Sequence, residues 1–227
     1  MVHDFAVSQR HLILLLPPIS LDRDALRAGK GIAQAMVWNA NMSMKVLVID
    51  KTDFARRRVL EMPPCMVFHF GNAWDADGVI HVDFVKSADL GVMNDWMPRV
   101  MRGESVRAPA STAAFLSIDL NGGTLALVER SENLEFPRVD PRFVAQRHRY
   151  LYYPVGLHRS IGDGELNGLM RLDAETGKTD TYSFGDDCTM EEHVMVPRPG
   201  STKEGEGWLV GVGFDSNRQQ SFASVFD

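Results

Sequence analysis

The fold is indicated most directly by one stretch, Met66-Val67-Phe68-His69-Phe70-Gly71-Asn72-Ala73-Trp74-Asp75, and by the segment that follows it, Val79-Ile80-His81-Val82-Asp83-Phe84-Val85. Both segments are rich in aromatic and β-branched residues, and the second alternates apolar with polar positions. This pattern is typical of strands with one buried face. Asp75, which ends the first segment, and Gly78, which precedes the second, supply ordinary hairpin-turn chemistry. The stretch therefore predicts two strands joined by a turn, with His69 held inside the first.

The same pattern of short strands separated by turns extends along most of the chain. Hairpin turns are predicted at Asn121-Gly122-Gly123, Asp173–Lys178 and Asp215–Gln220, each between two apolar runs. Helical periodicity is weak and restricted to Asp22–Met36 and Asp95–Arg102. The predicted strands are His11–Leu16, Met44–Ile49, Val59–Met62, Met66–Phe70, Val79–Val85, Ala113–Leu120, Thr124–Val128, Leu169–Leu172, Thr179–Phe184, Trp208–Phe214 and Ser221–Phe226.

Many short strands at near-regular spacing indicate a sandwich, a barrel or a propeller. No motif repeats at the roughly 40–50 residues that a propeller blade takes. The strand pattern alone therefore leaves these three β architectures open.

Composition limits the possible partners. The chain has 227 residues, of which 44% are hydrophobic and 24% charged, which suits one domain or part of a large one. The net charge of −6 argues against nucleic acid as a partner. Basic residues at 56–58, 142, 147 and 149 have acidic neighbours, so they are predicted to form a solvated or ion-paired surface.

Several features predict a soluble cytoplasmic protein. Cys65 and Cys188 lack the CxxC spacing of a zinc knuckle and do not suggest a disulfide framework. No apolar run approaches the ~20 residues of a transmembrane helix. The first residues, Met1-Val2-His3-Asp4-Phe5, do not resemble a signal peptide.

Two histidines, His3 and His69, have surroundings that suit a metal ligand. Each lies beside an apolar, β-prone run, so the backbone holds its imidazole in place. Imidazole nitrogen suits Zn, Cu, Fe or Ni, and residue type alone leaves the metal open. Two histidines are too few for a complete site, so further ligands are expected elsewhere in the chain or outside it.

Four stretches matter together and in this order: Val2–Phe5, Phe68–Asp75, Leu134–Asp140 with Arg147–Tyr152, and Glu192–Pro199 with Gly207–Leu209. They resemble motifs of the carotenoid oxygenase family, which includes carotenoid and apocarotenoid cleavage dioxygenases, lignostilbene dioxygenases and the retinoid isomerase of the visual cycle. The resemblance implies an all-β fold that is part of a seven-bladed β-propeller with a few short helical insertions. It also implies that residues 1–227 are a single partial domain, from the centre towards the C-terminus of the propeller, with N-terminal blades and last strands missing.

The resemblance also implies the metal and its ligands. In the family, four histidines hold one Fe(II), and three glutamates orient three of those histidines. His3 and His69 match the second and third histidines, and Glu135 matches the glutamate that orients His69. Glu192 matches the glutamate for the fourth histidine. The remaining histidines and the glutamate for His3 are expected outside the chain.

The activity implied is dioxygenase cleavage of a C=C bond in a carotenoid, apocarotenoid or stilbene-type substrate, with O2, to two carbonyl products; retinoid-type isomerisation fits the same motifs. Phe5, Phe68 and Phe70 flank the ligand positions and are expected either to line an apolar substrate tunnel or to pack in the core. In some members of the family, the region that corresponds to the one after the His3 strand enters membranes. Here residues 21–30 carry five charges, which favours a more soluble substrate and leaves membrane-surface contact open.

Other interpretations are carried alongside. The chain could be a truncated, non-catalytic propeller fragment with an incomplete metal site, whose open blades expose sheet edges and favour aggregation. An unrelated propeller that binds a partner would leave Glu135 and Glu192 exposed to solvent. If Glu191 rather than Glu192 were the inward-facing glutamate, the strand would be shifted by one residue and its two faces would be reversed. The other histidines are predicted to be packed or surface residues; they are His11, His81, His148, His158 and His193. Of these, His81 is expected on the solvent side of its strand, and His193 stands where the family commonly has proline.

Overall fold

The computed structural model describes residues 2–104, 106, 108–157 and 166–227. The strands are β1 (Ala6–Val7), β2 (His11–Leu16), β3 (Ile19–Leu21), β4 (Met36–Trp38), β5 (Met44–Asp50), β6 (Arg57–Met62), β7 (Met66–Ala76), β8 (Val79–Ser87), β9 (Ser111–Asp119), β10 (Thr124–Glu129), β11 (Tyr150–Val155), β12 (Gly168–Asp173), β13 (Thr179–Ser183), β14 (Cys188–Pro197), β15 (Gly207–Asp215) and β16 (Gln220–Phe226). The helices are α1 (Arg23–Arg27), α2 (Ile32–Ala35) and α3 (Met97–Met101), with a π-helical turn at Val92–Trp96 and a 3-10 turn at Pro141–Phe143. No helix in these ranges has the length and apolar character needed to cross a bilayer.

Most strands belong to four antiparallel sheets that follow one another along the chain. Their strand orders are β1-β2-β5-β6, β10-β9-β8-β7, β11-β12-β13 and β14-β15-β16. β3 and β4 form a separate two-stranded sheet and lie between β2 and β5 in the sequence. Sequential up-and-down sheets of three or four strands are the building units of propeller blades. Within the described ranges, none of these sheets closes on itself.

The core lies between neighbouring sheets. One cluster joins the first and second sheets, with Ile13 and Val46 packed against Val82 and Leu116. A second cluster joins the second and third sheets through Val85, Leu151, Tyr153 and Met170. Because each sheet buries side chains against the next, the order of sheets fixes where each inner strand lies.

Strand alternation explains the first sheet. In β2 alternate residues are buried, as the apolar run at His11–Leu16 requires when one face is covered. The strand runs predicted from the sequence are all present, although β7 extends to Ala76 rather than ending at Phe70. The predicted helical segment Asp22–Met36 forms two short helices instead of one, because Gly29 (φ +82°) ends the first.

The hairpin between β7 and β8 contains Gly78 in its turn as predicted, but Asp77 rather than Asp75 is the other turn residue. Asp77 (φ +51°) and Gly78 (φ +83°) form the two-residue turn, and a left-handed pair of this kind matches the twist of the strands. Asp75 lies within β7, where its carboxylate accepts hydrogen bonds from the Arg10 N–H at 3.0 Å and from His11 Nδ1 at 2.7 Å. Asp75 therefore anchors the first sheet and is not a turn residue.

Candidate metal centre

His69 lies in an irregular part of β7. Val67 pairs with Lys86 and Phe70 with Phe84, so β7 carries one more residue than β8 over this interval. A β-bulge of this kind interrupts the alternation of side chains and redirects the residues within it. Phe68 and His69 are consequently both half-buried on the side of an open cavity.

His3 lies against His69. It precedes β1 in a segment without regular secondary structure, and its ring is exposed. The centroids of the two imidazole rings are 5.2 Å apart, with an interplanar angle of 80°. The structure thus brings together the two side chains that the sequence analysis proposes as metal ligands.

Glu135 contacts His69 on the side away from its ring nitrogen Nε2. The Oε2 atom of Glu135 accepts hydrogen bonds from His69 Nδ1 at 2.7 Å and from the Phe136 N–H at 2.5 Å. A carboxylate at Nδ1 holds the proton on that nitrogen and leaves Nε2 as an electron-pair donor. This is the tautomer that a metal-binding imidazole needs.

Phe136 shapes the same corner of the site. Its backbone has φ +52°, which is unusual for a bulky residue and turns its N–H towards Glu135. Its ring lies 5.0 Å from the His69 ring, centroid to centroid. Nothing in the local sequence signals this conformation, since the following Pro137 favours an extended backbone at residue 136.

The donor set fits part of an iron site. Two imidazoles lie next to each other in an edge-to-face arrangement, and one has its Nδ1 hydrogen-bonded to a carboxylate. Imidazole nitrogen is a suitable ligand for iron. In the part of the chain that the structure describes, no group of three or more His, Cys, Asp or Glu side chains could hold a metal ion. His3 and His69 could therefore contribute to a metal centre but do not form a complete one.

The two histidines border a cavity of about 430 Å³. Its wall is mostly apolar and includes Met93, Trp96 and Met97 from the helical segment after β8. Of the three phenylalanines considered as tunnel residues, Phe68 lines this cavity. Other lining residues are Phe136, Pro109 and Leu166.

Phe70 and Phe5 lie elsewhere. Phe70 is buried in the core between the first two sheets, where it pairs with Phe84 between two register shifts of β7, and its ring lies 6.1 Å from that of Phe84. Phe5 is 49% exposed and does not line the cavity. The alternative of core packing applies to Phe70, and the tunnel interpretation is retained only for Phe68.

Glu192 lies in β14 of the last sheet, whereas Glu135 lies in the segment between β10 and β11. It is half-buried at a bulge of β14 between Met190 and His193, whereas Glu191 is exposed. Glu192 forms an ion pair with Arg138. Among the described residues, no histidine donates to the Glu192 carboxylate, and a histidine partner outside the chain stays a prediction. Arg138 is a residue that the sequence analysis did not identify.

The remaining described histidines have structural partners. His11 pairs with Asp75, and the buried His193 contacts Ser224 Oγ through Nε2 at 2.6 Å. His81 was predicted to face solvent, but it is half-buried and stacks on Trp74 with ring centroids 4.0 Å apart. His158 lies outside the described residues.

His148 forms the most buried of these pairs. Its Nε2 lies 2.8 Å from Asp83 Oδ2, and its Nδ1 is 3.0 Å from Asn72 Nδ2. Burial alone would lower the pKa of His148, but the hydrogen bond and charge of Asp83 outweigh it and raise that pKa above its ordinary value. Asn72 also binds the loop after the 3-10 turn, since its amide donates to the carbonyls of Phe143 and Gln146.

Comparisons with known proteins agree with this fold. The sequence model of the family described as retinal pigment epithelial membrane protein matches residues 1–227. Apocarotenoid-15,15'-oxygenase of Synechocystis is 24% identical, with 100% of this chain and 46% of the relative covered. Resveratrol cleavage oxygenase 1 of Aspergillus fumigatus is also 24% identical, with 93% of this chain and 46% of the relative covered.

The structural comparison gives the same picture. The cobalt-substituted apocarotenoid oxygenase of Synechocystis superposes with a TM-score of 0.88 at 23% identity, covering 100% of this chain and 47% of that one. The predicted propeller fold is thereby confirmed. The chain spans about half the length of the curated relatives it matches.

Proposed function

Because the chain belongs to the carotenoid oxygenase family, we propose that the protein is an Fe(II)-dependent dioxygenase. It would use O2 to cleave a C=C bond of a carotenoid, apocarotenoid or stilbene-type substrate into two carbonyl products. The observation that carries the proposal is the hydrogen bond from His69 Nδ1 to Glu135, beside His3 and at the edge of an apolar cavity. The names of the relatives support an alkene as the substrate.

His3 and His69 would hold the iron, together with ligands outside this chain. When bound, the iron would supply open coordination positions and redox chemistry towards O2. Glu135 keeps the proton of His69 on Nδ1, so that the Nε2 lone pair would be available to hold the metal. The N–H of Phe136 holds the carboxylate in this position.

The cavity would bind and orient the alkene. Met93, Trp96 and Met97 offer flexible and flat apolar surfaces, which suit a polyene or an aromatic ring. An apolar wall beside the ligands also keeps water away from the reacting carbons. The residues of this chain would therefore set which bond lies near the metal.

The experiment uses the complete gene product that contains this chain, loaded with Fe(II) without oxygen. It is then mixed with an apocarotenal or a hydroxylated stilbene under ¹⁸O2, and the products are identified by mass spectrometry. The proposal predicts two labelled carbonyl products. It also predicts that His69→Ala abolishes iron binding, whereas His81→Ala, which removes a stacked imidazole at the other end of the same hairpin, retains it.

Two results would contradict the proposal. Iron-loaded protein that cleaves neither class of alkene would remove the dioxygenase assignment, and an unlabelled isomer as the product would indicate isomerase chemistry instead. Wild-type iron affinity in His69→Ala would remove the site.

A cytoplasmic location stays a prediction from the sequence.

A second candidate is a non-catalytic propeller fragment. It is favoured by the incomplete donor set of the described residues. The reading frame that flanks the gene separates the two: a histidine motif encoded on each side supports the enzyme, whereas stop codons there would indicate the fragment. Turnover by residues 1–227 alone with added Fe(II) would contradict the requirement for four histidines.

A further inference from the structure

Asp4 connects the segment that carries His3 to the strand that carries His69 through a hydrogen bond. It follows His3 in the chain, and its Oδ2 accepts a hydrogen bond from the Phe70 N–H at 3.2 Å. Phe70 in turn follows His69. Each end of this hydrogen bond is thus one residue away from a candidate ligand.

The segment that carries His3 needs such a restraint. Residues 2–5 form no regular secondary structure, and the ladder of the first sheet starts at Ala6. The ring of His3 contacts the rings of Phe68 and His69, but ring contacts tolerate a range of positions. Within the described part of the chain, the Asp4 hydrogen bond is the one that joins residues 2–5 to β7.

The donor of this hydrogen bond, the Phe70 N–H, belongs to a strand at the edge of its sheet. β7 is the last strand in its sheet, so N–H groups on its free edge have no neighbouring strand to pair with. The Phe70 N–H follows the bulge at Phe68 and His69 and points to the Asp4 carboxylate. The second carboxylate oxygen, Oδ1, accepts from the Phe5 N–H at 2.7 Å, which fixes the orientation of the carboxylate itself.

We propose that Asp4 is a positioning residue that sets the separation of the His3 and His69 imidazoles, a role that rests on the proposed metal site. One carboxylate binds the main chain beside both ligands, so it restrains the two relative to each other. Charged acceptors make stronger hydrogen bonds to backbone N–H groups than neutral acceptors do. Its loss would leave His69 held by Glu135 and would release His3.

The test measures Co(II) binding by the complete gene product, because visible absorption of bound Co(II) reports the number and geometry of its ligands. We expect Asp4→Ala to lower Co(II) affinity by about 10-fold or more, as loss of groups that orient metal ligands does, and to change the absorption bands. Asp4→Asn keeps one oxygen that can accept from the Phe70 N–H, so its Co(II) affinity should lie between those of wild type and Asp4→Ala.

Asp22→Ala is the matched control. Asp22 Oδ1 also accepts hydrogen bonds from two backbone N–H groups, those of Asp24 and Ala25, but these bonds cap α1 and join neither candidate ligand segment. Both alanine variants should lower the Tm of the metal-free protein to a similar extent. Only the Asp4 variants should change the Co(II) spectrum and affinity.

The outcomes separate this inference from the function it rests on. Wild-type protein that binds no Co(II) would overturn the metal site and this role with it. Wild-type binding combined with unchanged affinity and bands in Asp4→Ala and Asp4→Asn would overturn the positioning role alone. Equal effects on Co(II) affinity from Asp4→Ala and Asp22→Ala would assign the loss to general stability and would likewise overturn it.

Discussion

At the scale of single residues, Glu135 has the most direct control over the candidate metal centre. Replacing it with glutamine should weaken iron binding by about 10–100-fold, because an amide no longer favours one tautomer of His69 as strongly. The Kd for Fe(II) is measured without oxygen in the complete gene product. Glu132→Gln is the control, since Glu132 lies in the same segment but pairs with Arg130. An unchanged Kd in Glu135→Gln would exclude Glu135 from the site.

The pair between His148 and Asp83 makes stability depend on pH. The folded-state pKa of His148 is raised, so its contribution is complete below the ordinary pKa of about 6.5 and is lost as pH rises through the raised value. His148→Gln should cost about 3–5 kcal/mol at the acidic end, since it leaves Asp83 buried without its partner. The difference in Tm between wild type and variant should shrink as pH increases.

His81 provides a contrast in the same measurement. Burial lowers the pKa of His81, although Asp83 opposes this shift. Its contribution to stability is therefore present above about pH 6.5 and is lost as pH falls. His81→Gln should show the opposite slope of Tm difference against pH. A constant difference for His148→Gln across this range would contradict the charged pair.

At the scale of elements, β7 has a second register shift between Phe70 and Asn72, and two sheets approach each other closely at Gly71 within it. A Cβ at Gly71 would lie 2.8 Å from Leu151 Cδ2, 3.3 Å from Asp83 Cβ and 3.4 Å from Pro137 Cβ. Leu151 is fully buried and has little room to move. Gly71→Ala should cost about 1–3 kcal/mol, which is typical of overpacking.

Pro137 is two residues from Glu135, so the Gly71→Ala variant should also bind iron less tightly. Chemical denaturation and an Fe(II) titration check the two effects. Gly31→Ala is the control, because no atom lies closer than 4.0 Å to its added Cβ. Stability equal to that of the control would show that β7 and β11 are not packed as closely as described.

How much of these elements could be predicted depends on whether one face of a strand is exposed. β2 and β8 were predicted because apolar residues alternate or run together between turn residues. β11 was not predicted as a strand, since nearly all of its residues are buried and Pro154 lies within it. A strand buried on both faces carries no alternation for a single sequence to show.

The site divides in the same way. His3, His69 and Glu135 were identified because they stand in motifs similar to those of a family. Asp4, Phe136 and Arg138 were missed, because their roles come from contacts between segments distant in the chain. The burial of Phe70 could not be predicted either, since a bulge changes which face a residue takes and leaves no mark in the sequence.

At the scale of the whole molecule, the last sheet has one apolar face that the described chain leaves uncovered. Its other face buries Met190, His193 and Met195. The uncovered face presents five exposed apolar side chains, at Val194, Val196, Val212, Phe214 and Val225. An apolar sheet face of this kind favours association.

Residues 1–227 expressed alone should therefore self-associate. Val194→Lys combined with Val212→Lys and Val225→Lys should reduce this, because charge on the exposed face opposes stacking. Size-exclusion chromatography with light scattering measures the mass of each protein. A monomeric wild-type chain would contradict the expectation. In the complete gene product the same three substitutions should lower Tm if another sheet covers this face.

The claim that His3 and His69 bind one metal ion is tested most directly by anomalous diffraction at the iron edge from crystals of the complete gene product loaded with Fe(II). The account predicts a single strong peak at roughly 2 Å from Nε2 of His69, the length of a metal–imidazole bond, and at a similar distance from a ring nitrogen of His3. A peak that touches neither ring, or that lies on His69 Nδ1 with Glu135 displaced, would contradict it.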